Sequence, residues 1–66
     1  MRIKPSPREI EVLELVARGY RNPEIANALS IAPGTVKVHL KHISVKLETN
    51  GRHMLVEEAK YLSFID

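Results

Sequence analysis

The same helix-start signal recurs in the first half of this chain, and that recurrence limits what it can fold into. Ser6-Pro7-Arg8-Glu9 supplies a capping serine, a proline suited to the first helical position and a glutamate three residues after the cap. Asn22-Pro23-Glu24 repeats the pattern, and Pro33 opens a third start after a connection of about three residues, Ser30 to Ala32. In the first helix Ile10, Leu13 and Ala17 recur on one face, widened by Val12 and Val16. Glu11, Glu14 and Arg18 lie on the other face, and Gly19 supplies the stop. The second helix is short and carries Ile25, Ala26 and Leu29 inward. In the third, Val36, Leu40, Ile43 and Leu47 form a helical core stripe, although Ala32 offers no cap and Gly34 weakens the first turn. Thr49-Asn50-Gly51 breaks the chain, and a last helix is expected from about Arg52 to Leu62, burying Leu55, Ala59 and Leu62. Met1 to Pro5 reads as an extended leading segment, because Lys4 precedes a proline. The expectation is an all-α, compact four-helix domain over residues 1–66, containing a helix-turn-helix.

Composition narrows the function classes. A chain of 66 residues hides only about 60% of its unfolded surface, so it must fold around one small core. It has no cysteine, which excludes a disulfide, a thiolate zinc site and a cysteine nucleophile. Charged residues at 27% and hydrophobic residues at 44% are an ordinary globular balance. No apolar run reaches the roughly 18 to 20 residues of a membrane span, and no signal-peptide pattern opens the chain. A soluble, cytoplasmic domain with no membrane partner is expected, with no cofactor and no catalytic residue.

The net charge of +2 is weak, but its distribution is uneven. Residues 34–47 hold Lys37, Lys41, Lys46 and two histidines without a single acid, whereas residues 48–66 carry four acids against two bases. Positive charge is thus focused on the third helix, as expected of a surface that meets phosphate. A short helix, a tight connection and a basic second helix make the plan of a helix-turn-helix, whose second helix lies in the major groove of DNA. With the core stripe turned inward, Val38, Lys41 and Val45 face away from it, Lys37 and Ser44 flank one edge, and Thr35, His39 and Lys46 flank the other. A valine methyl packs against a thymine methyl, and lysine donates to guanine O6 and N7. Lys37, Val38 and Lys41 are therefore expected to contact bases, and Thr35, His39, Ser44 and Lys46 to contact phosphates. The competing reading is a solvated basic helix face carrying two stray apolar residues.

Pro5 to Leu13, Gly19, Asn22 to Ala26, Leu29 and Thr35-Val36-Lys37-Val38-His39-Leu40 together resemble the LuxR-type helix-turn-helix domain, and Ile43, Lys46-Leu47 and Arg52 continue the likeness. The resemblance covers roughly residues 5–60, and the run from Thr35 to His42 is similar to the effector domains of nitrate/nitrite response regulators. It implies a bacterial transcription regulator that binds double-stranded DNA as a homodimer through its last helix, with Lys37, Val38 and Lys41 reading bases. Members commonly carry an upstream phosphoreceiver or ligand-binding domain, so the chain is either an excised effector domain or a stand-alone regulator, with an upstream regulatory domain or RNA polymerase as a further partner. The likeness also implies an ion pair from Glu9 to Arg52 tying the first helix to the last. Pro5, Ala32, Glu48 and Thr49 depart from the family's usual residues.

A single recognition helix reads too few base pairs to select one site, so dimerisation on DNA is expected, with half-sites about one helical turn apart. Val56 and Ser63 are the expected interface, with Met54, Tyr61 and Ile65 as the alternative face. His39, His42 and His53 invite a metal reading, but no thiolate completes a zinc set. Glu57-Glu58 reads as a solvated face rather than a catalytic pair. Two other functions remain open: a sigma-factor region 4 module, against which His39 and Lys46-Leu47 speak, and a protein-interaction module that acts as a decoy or anti-activator.

Overall fold

The computed structural model describes residues 3–66, so Met1 and Arg2 of the leading segment lie outside the described residues. Four helices follow one another, α1 (Pro7–Ala17), α2 (Asn22–Leu29), α3 (Pro33–Leu47) and α4 (Arg52–Tyr61), with no strand among the described residues. The start of α1 forms as its sequence dictates. Ser6 Oγ accepts from the Glu9 N–H at 3.2 Å, and Glu9 Oε1 accepts from the Ser6 N–H at 2.8 Å. At the far end Gly19 takes φ +88°, the left-handed conformation that stops the helix. The α2 start is displaced by one residue: the N–H of Arg21, not Asn22, donates to Glu24 Oε1 at 2.7 Å. Ala32 caps α3 without any side-chain bond.

All four helices and the tail share one core, made of Val12, Leu13, Val16, Ile25, Ala26, Val36, Ile43, Leu47, Leu55, Ala59 and Ile65. Leu29, Leu40 and Leu62 pack against it partly buried. Ala17, Ile10 and Ile65 depart from expectation. Ala17 is exposed and Ile10 only half-buried, because α1 is turned onto its Glu9, Val12 and Val16 side. Ile65, expected on a free face of α4, is buried at 8% relative exposure. The cause is the chain's exit from α4: Ser63 adopts φ +62°, and the Phe64 N–H donates to the Ala59 carbonyl at 2.9 Å. That turn folds Phe64 and Ile65 back onto the core and leaves Ser63 beyond the helix.

The leading segment from Ile3 onward is also tied down. Ile3 N–H donates to the Lys46 carbonyl at 2.9 Å, and Pro5 is buried. The exit from α3 is less well served. Glu48 takes the left-handed conformation at φ +54°, where a side chain costs about 1 kcal/mol relative to glycine. Glu48→Gly is accordingly expected to raise the urea-unfolding free energy by about 1 kcal/mol with the m value unchanged. Next to it, Thr49 Oγ1 is buried and finds no hydrogen-bond partner among the described residues, a cost that an apolar side chain would not carry.

Candidate nucleic-acid interface

The α2–α3 connection is a tight left-handed turn. Ser30 sits at φ +57°, and the Ile31 N–H returns to the Ala26 carbonyl at 2.9 Å, closing the end of α2 before Pro33 starts α3. Helix α3 then runs for 15 residues with Val36, Ile43 and Leu47 fully buried beneath it. Helical periodicity places the residues between these outward. Lys37, Val38, Lys41 and His42 are exposed, Val38 at 50%, and further along Val45 is exposed at 71%. Thr35 is exposed, whereas His39, Ser44 and Lys46 are half-buried on the flanks. Two lysines and a valine thus share one open, acid-free helix face, held in place by a stripe of buried aliphatic residues.

One expected phosphate contact is differently engaged. Lys46 Nζ donates to Glu9 Oε1 at 2.6 Å, with the Lys46 side chain only 30% exposed and Glu9 itself 4% exposed. Burial alone pushes the Glu9 carboxyl up, but the Lys46 hydrogen bond, the Ser6 backbone N–H and the Lys46 charge outweigh it and hold it below its ordinary value. The expected Glu9–Arg52 pair is therefore corrected: Glu9 joins α1 to α3, not to α4. Arg52 serves elsewhere, its Nη1 donating to Asn22 Oδ1 at 2.7 Å and its Nη2 to the Tyr20 carbonyl at 2.6 Å. It ties the start of α4 to the start of α2. The misassignment has a physical origin, since Glu9 and Lys46 are 37 residues apart and no local spacing signals their meeting.

On the opposite side, Val56 is half-buried in an open groove between α1 and α4, with Val16, Ala17, His53, Glu57 and Lys60 around it. His53 Nε2 lies 3.8 Å from Glu57 Oε1. Ser63 is exposed but lies past the α4 cap, so it does not continue a helical stripe from Val56. Met54 and Tyr61 are exposed on the other side of α4. Among the described residues no three His, Asp or Glu side chains converge as a metal site, and no helix is long and apolar enough to cross a membrane.

Comparison with known proteins fits this geometry. The pattern of the family described as bacterial regulatory proteins, luxR family, matches residues 6–59. The oxygen regulatory protein NreC of Staphylococcus haemolyticus is 41% identical over 61 residues, which cover 92% of this chain and 28% of that protein. NreC of Staphylococcus aureus is 46% identical over 54 residues, covering 82% and 25%. The crystal structure of the response regulator ChrA, from a heme-sensing two-component system, superposes with a TM-score of 0.92 at 37% identity, covering 98% of this chain and 32% of that one. The chain thus spans about a quarter to a third of the length of these relatives. On the match over residues 6–59, the chain belongs to the luxR family of bacterial regulatory proteins, as a DNA-binding, non-enzymatic helix-turn-helix module.

Proposed function

We propose that α3 lies in the major groove of double-stranded DNA, that Lys37, Val38 and Lys41 read base edges, and that Thr35, His39 and Ser44 position the helix against phosphates. The observation that carries this reading is the exposed Val38 between two exposed lysines, on a helix whose opposite side carries the fully buried Val36, Ile43 and Leu47. Apolar surface at that position suits a thymine methyl, and a lysine on either side suits guanine. Helix α2 braces the backbone, and the left-handed Ser30 fixes the angle between the two helices. The module serves as the output of a transcription regulator with a regulatory domain as its partner, a reading supported by its likeness to the response regulator ChrA. The acid-free α3 with its exposed lysines favours DNA over a decoy of the same fold.

Binding by one helix is weak, and two copies on one duplex supply the missing selectivity through α4. Val56 is the residue best placed for the contact: it is apolar, half-buried and open to solvent along the α1–α4 groove. Ser63 sits at the edge of such a contact rather than in it, because the chain has already left the helix. Cooperative binding to a duplex with two half-sites tests this. Val56→Glu is expected to abolish cooperativity while leaving helical content and single-half-site affinity unchanged. Cooperativity that survives the substitution moves the interface to the Met54 and Tyr61 face.

A further inference from the structure

We propose that Glu9 is a positioning residue that limits the strength of DNA binding, by keeping the Lys46 ammonium off the phosphate backbone. The inference rests on the major-groove reading of α3 and adds to it a residue outside the helix-turn-helix. Lys46 follows Thr35 and His39 along the same flank of α3, at steps of four and seven residues, so its amine belongs to the edge that faces the DNA backbone. Instead it is bound to Glu9 at 2.6 Å. Glu9 cannot follow it outward, because the same carboxylate accepts from the Ser6 N–H at 2.8 Å and is buried at the cap of α1. The Lys46 backbone is held as well, its carbonyl accepting from Ile3. To meet a phosphate, the ammonium would exchange one anion for another and leave a buried carboxylate without its counter-charge. A lysine already neutralised inside the protein releases no counterion from DNA, so it adds nothing to the salt-dependent part of the affinity. The contact of a single copy is thereby kept weak, and occupancy depends on two copies binding together.

The test compares salt dependence. Glu9→Gln retains an oxygen that accepts from the Ser6 N–H but removes the charge, so Lys46 is released. The plot of log affinity against log salt is expected to steepen by about one unit, on the preferred duplex and on random duplex alike. Adding Lys46→Met to Glu9→Gln should return the slope to its starting value. A purely structural Glu9 would leave the slope unmoved, and a folded Glu9→Gln with an unchanged or shallower slope overturns the proposal. An independent measurement uses the unaltered protein: on addition of duplex, the Lys46 ¹³Cε resonance should stay in place while those of Lys37 and Lys41 move. A Lys46 resonance that moves with theirs also overturns it. Failure of the unaltered protein to bind duplex at all would overturn the major-groove reading and this inference with it, whereas binding with an unmoved slope overturns this inference alone.

Discussion

Lys46→Ala is expected to lower the unfolding free energy by about 2–3 kcal/mol, a large share of what so small a domain possesses. The cost comes from what remains. Glu9 stays buried at 4% exposure and keeps its Ser6 bonds but loses the ammonium that neutralises it. Glu9→Gln should cost less, about 1 kcal/mol, because the released lysine is already 30% exposed and its amine can swing into water. The pH dependence discriminates further. In the parent protein the Glu9 carboxyl is held below its ordinary value of 4.5, so the pair's contribution is fully present above that pH and is lost as the pH falls through the depressed folded value. In Lys46→Ala the hydrogen bond and charge of Lys46 no longer oppose burial, so the carboxyl protonates at higher pH than in the parent, and protonation relieves the stranded charge. Urea unfolding of both proteins between pH 7 and pH 3.5 or so should therefore show the gap between them narrowing towards acid. A gap independent of pH would mean that Lys46 stabilises the fold through its aliphatic stem instead.

Lys41→Ala and Lys37→Ala are each expected to weaken binding to the preferred site by about 1–3 kcal/mol while leaving stability within about 0.5 kcal/mol of the parent. Both side chains are exposed on a helix whose buried residues are untouched by the change, which is why affinity and stability separate. The loss should be larger on the preferred duplex than on random sequence, since base contacts add to phosphate contacts only where the base is right. Equal losses on both duplexes would reduce these lysines to backbone contacts and leave Val38 as the remaining base reader.

Most of the fold was legible because its signals are local. Ser6, Pro7 and Glu9 announce α1, Gly19 ends it, and the Val36–Ile43–Leu47 stripe sets which side of α3 faces out. The exposed Lys37, Val38 and Lys41 follow directly from that stripe. What escaped the sequence depends on distant parts of the chain meeting. The Glu9–Lys46 pair and the Arg52 bonds to Asn22 and the Tyr20 carbonyl join residues 30 or more positions apart. The burial of Ile65 escaped for a different reason. It turns on a single left-handed serine at position 63, a conformation that no helix-start or stop signal announces. Ala17 stands exposed because α1 packs through Glu9, Val12, Leu13 and Val16, a face that takes in a glutamate which no apolar spacing announces.

The central claim is that the outward face of α3 selects a DNA sequence. Sequencing of the duplexes bound from a random-sequence pool, for the parent protein and for Lys41→Ala side by side, addresses it most directly. The account predicts a shared motif in the parent pool, made of two half-sites about one helical turn or a multiple apart, with one position per half-site losing its preference in the Lys41→Ala pool. A parent pool no more enriched than the input, at a protein concentration that still retards random duplex, would contradict it.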